Sequence, residues 1–155
     1  MNDASRMPSD ADPFDHLMGA AQQAGSEEEL IHAFRGLWAA FLGLETWIFL
    51  TTGGRDLSQA SPFIGLIEDQ PWALVFTDPQ KAAAFAGADP RFRTPEGHLL
   101  FIELPKLEAL GWVMGLQREG VVGLRINQGK YGWFTPLAHL PAIVLDIEGG
   151  ADLPR

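Results

Sequence analysis

The chain has 155 residues, 46% of them hydrophobic, and no cysteine, so it can bury one sizeable core, and disulfides, thiolate metal sites and cysteine nucleophiles are excluded. Its formal net charge of −9 argues against nucleic-acid binding, because basic side chains supply most of the affinity for phosphate backbones. The first residues lead into proline and acids, and no apolar run reaches the roughly 20 residues of a membrane span, so we expect a cytoplasmic protein without a secretory signal.

The first predicted helix follows an acidic tail. Residues 1–11 contain acids, serine and proline, a composition that predicts disorder. Asp12 and Pro13 then predict a helix start, because an aspartate oxygen can cap free backbone amides and proline already has a helical φ. Gly25 is the predicted end of this helix.

A second helix is predicted to start at residue 26. Ser26 can accept a hydrogen bond from an early backbone amide and Glu29 can reach back towards the start, which is the pattern of a capping box. Apolar residues recur at helical spacing up to residue 42, and Gly43 is the predicted end.

Strand-like segments follow. Residues 47–51 are aromatic and β-branched and predict a strand that ends at Gly53-Gly54. Residues 63–67 and 71–76 predict a hairpin around the turn 68–70. The second strand of this hairpin contains few polar residues, which predicts burial on both faces.

The remaining chain alternates between helix and strand. The predicted elements are a helix from Asp78-Pro79, a strand at 99–102, a helix opened by Pro105, a strand at 121–126 and a helix from Thr135-Pro136. Pro141 disfavours a continuous last helix, so residues 142–147 are open to either helix or strand.

This order of elements predicts an α/β class (mixed α+β) with a single central mixed sheet and helices packed on it. The hairpin would supply antiparallel pairing in the N-terminal part, and the later β-α-β crossovers would be parallel and right-handed. We expect a single domain at residues 12–148, followed by a C-terminal tail at 149–155.

Three segments, taken in order, resemble the SseB protein N-terminal domain family, named for enhanced serine sensitivity. They are the helical residues 17–21 with the later segment 45–50, the apolar strand 72–78, and the segment 124–136. The second is similar to the family's strand ending in Phe-Thr-Ser, and the third to its Leu-Asn-Pro-Gly, Tyr-Gly and Thr-Pro segments. The resemblance covers roughly residues 14–147 and implies a bacterial domain that is non-enzymatic or uncharacterised, with no catalytic residue.

The chain departs from the family pattern at two places. Gln128 stands where the family usually has proline, and Trp133-Phe134 stand where it often has Lys-Glu. We therefore do not expect this chain to share a partner-binding role that depends on those charged residues in the family.

Motifs for catalysis, cofactors or metals are not visible. No serine has the context of a nucleophile elbow, and no glycine-rich phosphate loop is present, so we expect no enzyme activity and no cofactor. Glu29 and His32 have the three-residue spacing of carboxylate-bridged di-iron sites, but those sites need a second such pair. A solvated helix face is the preferred interpretation of the pair.

The segment after the strand at 121–126 is the predicted interaction site, because it combines turn formers, aromatic residues and a lysine. The candidate partner-binding residues are Asn127, Gln128, Lys130, Tyr131, Trp133 and Phe134. Tyrosine and tryptophan are enriched at binding hot spots, which favours a protein partner or self-association. The equally weighted alternative is that Trp133 and Phe134 fold back onto the core.

A different class of function is small-ligand or anion binding at Thr77 and Asp78. A helix that starts after a buried strand presents free backbone amides, which can hold a small anion. The preferred interpretation is that Asp78 itself satisfies these amides.

Overall fold

A computed structural model describes residues 13–52, 62–129 and 133–149 and has a mixed α and β architecture, as predicted. The tail 1–11, the predicted cap Asp12 and the predicted strand end Gly53-Gly54 lie outside the described residues. The chain divides into two compact units, Met1–Gly43 with Ile143–Arg155, and Leu44–Ala142.

The first unit contains two packed helices, α1 (Pro13–Gln22) and α2 (Glu27–Leu42). The predicted capping box of α2 is confirmed: the Glu29 N–H donates to Ser26 Oγ at 3.1 Å, and Glu29 Oε1 accepts from the Gly25 N–H at 2.7 Å. Gly43 is the C-cap of α2, as predicted.

The described residues of the second unit form six strands, which are β1 (Thr46–Leu50), β2 (Ile64–Ile67), β3 (Gln70–Val75), β4 (Phe101–Pro105), β5 (Gly123–Ile126) and β6 (Trp133–Pro136). Four of them form a sheet in the order β2-β3-β5-β6, with a parallel pair β3–β5 between two antiparallel pairs. The other two, β1 and β4, form an antiparallel ribbon. The core includes Ile48, Leu74, Phe76 and Phe92.

The strand arrangement differs from the predicted single sheet. An isolated bridge between Ile48 and Phe76 joins the ribbon to the larger sheet through backbone hydrogen bonds of 2.8 and 3.1 Å. β4 pairs with β1 and not with β3 or β5, so among the described strands β3–β5 is the one parallel pair. Strand pairing is long-range, and short apolar runs do not specify which partner a strand takes.

The predicted hairpin is confirmed, with a turn that is shorter by one residue. Glu68 and Asp69 occupy the turn with φ of 54° and 67°, and Gln70 already belongs to β3. Two consecutive residues with positive φ are the geometry of a type I′ turn, whose twist matches that of the paired strands.

The helices of the second unit begin as predicted. α3 (Pro79–Ala86) starts after the N-cap Asp78, and α4 (Lys106–Gly115) starts after Pro105. On α4, Trp112 meets Phe49 of β1 edge to face, with ring centroids 4.9 Å apart. No helix among the residues that the structure describes is long and apolar enough to cross a membrane.

The predicted helix start at Thr135-Pro136 was wrong. These residues belong to β6, and a 3₁₀ turn (Leu137–His139) precedes the short helix α5 (Leu140–Val144). Pro141 is the second residue of α5, where its missing N–H costs no helical hydrogen bond. A π-helical turn (Leu145–Gly149) follows, so residues 142–147 are helical and not a strand.

Candidate functional site

Three side chains on neighbouring strands meet at the same face of the four-stranded sheet. Arg125 of β5 lies opposite Phe134 of β6, and Trp72 of β3 lies opposite Gly123, two residues before Arg125. The guanidinium carbon of Arg125 is 4.4 Å from the Trp72 ring centroid and 4.8 Å from that of Phe134. The two rings are nearly perpendicular, with centroids 5.4 Å apart. We call Trp72, Arg125 and Phe134 the Arg125 cluster.

Gly123 makes room for this cluster, because the indole of Trp72 lies directly over it. A Cβ atom at Gly123 would be 2.8 Å from Trp72 Cε3 and 2.6 Å from the Thr135 carbonyl oxygen. Both distances are shorter than side-chain packing allows, so only glycine permits Trp72 to lie across β5. Trp72 is consequently buried, and its ring is held beside the Arg125 guanidinium.

The positive charge of Arg125 is stabilised by aromatic rings and not by a carboxylate. Its Nε is buried without a hydrogen-bond acceptor, and no acid among the described residues forms an ion pair with it. The side chain as a whole is partly exposed. Cation–π contacts hold a guanidinium in place but leave its N–H donors unused, because the rings cover its face and not its edge.

Three of the other described arginines have oxygen partners, whereas the exposed side chain of Arg118 forms no hydrogen bond or ion pair with the described residues. The three pairs are Arg35 with Asp146 at 3.4 Å, Arg91 with Asp89 at 2.8 Å, and Arg93 with the carbonyl oxygens of Gly87 and Gly97 at 3.0 and 3.2 Å. Arg125 differs from Arg93 and Arg118, which also lack a carboxylate, in that its Nε is buried without an acceptor.

Asn127 links the ends of the two parallel strands. Its Oδ1 accepts from the Thr77 N–H at 3.0 Å, its Nδ2 donates to Thr77 Oγ1 at 3.2 Å, and its own N–H donates to the Val75 carbonyl at 2.8 Å. It is 1% exposed and has a φ of 55°. Asn127, a predicted partner-binding residue, therefore supports the loop from inside and is not itself accessible to a partner.

The other predicted loop residues separate into accessible and buried ones. Gln128 is partly exposed, and Phe134 is 49% exposed. Trp133 is 2% exposed, because neighbouring residues of β6 point to opposite faces of the sheet. Lys130 and Tyr131 lie outside the described residues. The alternative interpretation, in which both rings fold back onto the core, therefore holds fully for Trp133 and only in part for Phe134.

An apolar pocket of about 460 Å³ lies beside Gln128 on the second unit. Its walls include Phe63, Leu74 and Phe85, and its polar atoms come from Gln128 and Arg91. Leu74 lies opposite Arg125 in the β3–β5 register, which places the pocket on the same sheet face as the Arg125 cluster.

The charge of Arg91 at this pocket is neutralised by Asp89. The hydrogen bonds that Arg91 donates to the carboxylate lower the pKa of Asp89 below its ordinary value, and the same contact raises the pKa of Arg91. The Arg91 guanidinium also lies over the rings of Phe63 and Phe92, 5.3 and 5.2 Å from their centroids.

Protein groups already occupy two of the amides at the predicted anion site, those of Thr77 and Lys81. The Lys81 N–H donates to Asp78 Oδ1 at 2.8 Å, and Lys81 Nζ is 3.0 Å from Asp78 Oδ2. The Thr77 N–H donates to Asn127, and Pro79 has no N–H. An anion at this helix start would have to displace the carboxylate of Asp78.

Glu29 and His32 lie in the first unit and line an open groove of about 860 Å³ with small residues of both helices. The Glu29 carboxylate accepts the Gly25 N–H of the capping box. Within the part of the chain that the structure describes, no group of three or more histidines and acids is placed to hold a metal ion.

Sequence reasoning did not identify Arg125 or Trp72 as parts of the site. One signal was present: Arg125 interrupts an otherwise apolar strand between Leu124 and Ile126, where a charged side chain is costly unless it has a specific environment. No protein-family model, curated protein or solved structure matches the chain.

Proposed function

We propose that the chain is a non-catalytic protein-interaction domain that binds a protein partner, or a second copy of itself, through the Arg125 cluster and the adjoining loop 128–135. The observation that carries the proposal is the half-exposed ring of Phe134 beside a cation that has no carboxylate. Aromatic residues and arginine are the types most enriched at the centres of protein interfaces.

The cluster is arranged before any partner arrives, which favours binding. Trp72 is fixed over Gly123, and Phe134 packs edge to face against Trp72. Side chains that are already ordered lose little conformational entropy on association. Covering the exposed half of the Phe134 ring would contribute about 1 kcal/mol.

The apolar pocket beside Gln128 offers a second contact on the same sheet face. Its walls are mainly aliphatic and aromatic, and its volume of about 460 Å³ suits one or two apolar side chains of a partner. A partner that fills the pocket and covers Phe134 would bury Gln128 and Phe134, the two predicted loop residues that the structure shows to be accessible.

The relationship to SseB N-terminal domains is part of the same proposal. It rests on the order along the sequence of residues 17–21 with 45–50, then 72–78, then 124–136, and a bacterial, cytoplasmic domain without catalytic activity follows from it. The last two of these segments contain Trp72, Arg125 and Phe134, so a relative with the same fold would place its own residues at this surface.

Photo-crosslinking tests where partners bind. The photoreactive residue p-benzoylphenylalanine replaces Phe134 in one variant and Leu107 in a control variant, since Leu107 is 79% exposed on α4. In native cell lysate, position 134 is expected to crosslink one specific protein, or a second copy of the chain, and position 107 is not. Equal crosslinking at both positions, or none at 134, would contradict the proposal.

A further inference from the structure

We propose that Arg125 is a carboxylate receptor and that the partner supplies a single aspartate or glutamate side chain. This inference rests on the proposed function and names the chemistry that the interaction surface recognises. The carboxylate would meet the terminal nitrogens of the guanidinium, whose side chain is partly exposed beside the rings of Trp72 and Phe134.

The guanidinium of Arg125 has N–H donors that the described residues do not use. A guanidinium has five N–H donors and no acceptor, and a carboxylate meets two of them at once in a bidentate pair. Arg125 uses none of these donors within the described part of the chain: its guanidinium contacts two aromatic rings, and its Nε is buried without an acceptor. The buried Nε is out of reach of a ligand, but the side chain as a whole is partly exposed, so a carboxylate can accept from the terminal nitrogens of a guanidinium that is already partly desolvated.

The other arginines that the structure describes differ from Arg125 in their partners or their exposure. Arg35 and Arg91 are each matched with an aspartate of the same chain. Arg118 also lacks a carboxylate but is exposed to water, whereas Arg125 is partly buried against two aromatic rings and none of the described acids forms an ion pair with it. Charge complementarity therefore assigns the missing carboxylate to another molecule.

The guanidinium of Arg125 is held in place by the two aromatic rings before a ligand binds. Trp72 cannot move towards β5 because it already lies against Gly123, and Phe134 contacts both Trp72 and Arg125. Two rings at 4.4 and 4.8 Å restrict the arginine side chain, so less rotamer freedom is lost when a carboxylate binds.

A carboxylate fits this site better than a phosphate. The cluster has a single cation between two aromatic rings, and the neighbouring cation, Arg91, is already neutralised by Asp89. A planar monoanion matches one guanidinium fork, whereas a phosphate carries nearly two charges and usually needs further donors. The overall negative charge of the chain also repels a dianion more strongly than a single carboxylate.

The test compares two peptides that differ in one group. The probes are acetyl-Gly-Leu-Glu-Leu-Lys-amide and the same peptide with glutamine in place of glutamate, so that lysine keeps the first one neutral overall. Each is titrated into the ¹⁵N-labelled full chain, and NMR follows the Arg125 Nε–H and the Trp72 indole N–H. Inorganic phosphate is titrated in parallel.

The proposal predicts at least tenfold tighter binding of the glutamate peptide and a shift of the Arg125 Nε–H. Arg125→Met, which keeps the packing against the rings, is expected to abolish the difference between the two peptides. Arg118→Met is the matched control, because Arg118 lies on the separate 3₁₀ helix Leu116–Glu119, and it should leave the difference unchanged.

Three results would overturn the inference. The first is equal affinity of the two peptides, and the second is that neither the Arg125 Nε–H nor the Trp72 indole N–H of the wild-type chain shifts on adding peptide. The third is a larger shift of the Arg125 Nε–H with phosphate than with the glutamate peptide. A chain that crosslinks its partner at position 134 yet treats both peptides alike has an interaction surface that does not recognise carboxylates. Failure of the crosslinking experiment, in contrast, removes the interaction surface itself.

Discussion

The side chain of Asn127 binds Thr77 through two hydrogen bonds, accepting from its backbone N–H at 3.0 Å and donating to its hydroxyl at 3.2 Å. The two residues follow the parallel strands β5 and β3, 50 positions apart in the chain. Asn127 holds this contact with a φ of 55°, a conformation that asparagine tolerates better than most residues. The pair therefore ties the residue that follows β5 to the segment that leads into α3.

Replacing Asn127 tests this structural role. Asn127→Ala removes both side-chain hydrogen bonds and places alanine at a positive φ, so the free energy of unfolding should fall by about 2–4 kcal/mol. Asn127→Gly should lose about 1 kcal/mol less, because glycine has no Cβ to strain at this φ. Urea denaturation measures both values. Stability equal to wild type in the alanine variant would show that the Asn127–Thr77 pair contributes nothing.

Gly123→Ala is expected to disrupt the Arg125 cluster. The added methyl group meets Trp72 and the Thr135 carbonyl, so either the indole or β6 has to move, at a cost of about 3 kcal/mol. Gly111→Ala is a matched control, since a Cβ there meets nothing within 4 Å and alanine favours the helix by about 1 kcal/mol. The two variants are compared by the midpoint of thermal unfolding and by tryptophan fluorescence. Equal stability of both variants would contradict the close packing of Trp72 on Gly123.

The hairpin turn is expected to be stabilised by residues suited to positive φ. Glu68 and Asp69 have φ of 54° and 67°, and Asn-Gly is the preferred pair for a type I′ turn. The double variant Glu68→Asn/Asp69→Gly should raise the free energy of unfolding by about 1 kcal/mol. Glu68→Val should lower it, because a β-branched residue is strained at this φ. A double variant less stable than wild type would argue against the turn geometry.

The Asp89–Arg91 contact predicts a pH dependence with a defined sign. Because hydrogen bonds from Arg91 lower the pKa of Asp89 in the folded chain, their stabilisation is complete above the unfolded pKa and is lost as the pH falls through the folded pKa. Carboxyl ¹³C NMR should find the Asp89 pKa below its ordinary value in wild type and close to it in Arg91→Met. Arg118→Met should resemble wild type. An unchanged pKa in Arg91→Met would remove the assigned cause.

Local signals in the sequence predicted the parts of the fold that depend on neighbouring residues. The capping box at Ser26 and Glu29, the hairpin and the helix start at Asp78 involve groups within a few positions of each other, and the structure contains all three. Sheet pairing was harder to predict, because β1–β4 and β3–β5 join residues that are far apart in the chain.

The same limit explains what was missed at the site. β6 has four residues, ends in Pro136 and follows a glycine-rich turn, so its local composition favours a loop or a helix start. Without β6 the alternation that buries Trp133 and exposes Phe134 is not visible. Arg125, Trp72 and Phe134 come together only through the register of three strands, which no spacing along the chain records.

The most direct test of the proposed function is affinity capture from native cell lysate with wild type, Phe134→Ala and Leu107→Ala in parallel. Phe134→Ala is preferred to a Trp133 variant, because truncating the buried Trp133 would cost about 3–5 kcal/mol of stability and confuse unfolding with lost binding. The proposal predicts a specific protein that wild type and Leu107→Ala retain equally and that a folded Phe134→Ala retains about tenfold less. Equal retention by all three would contradict an interaction surface at the Arg125 cluster.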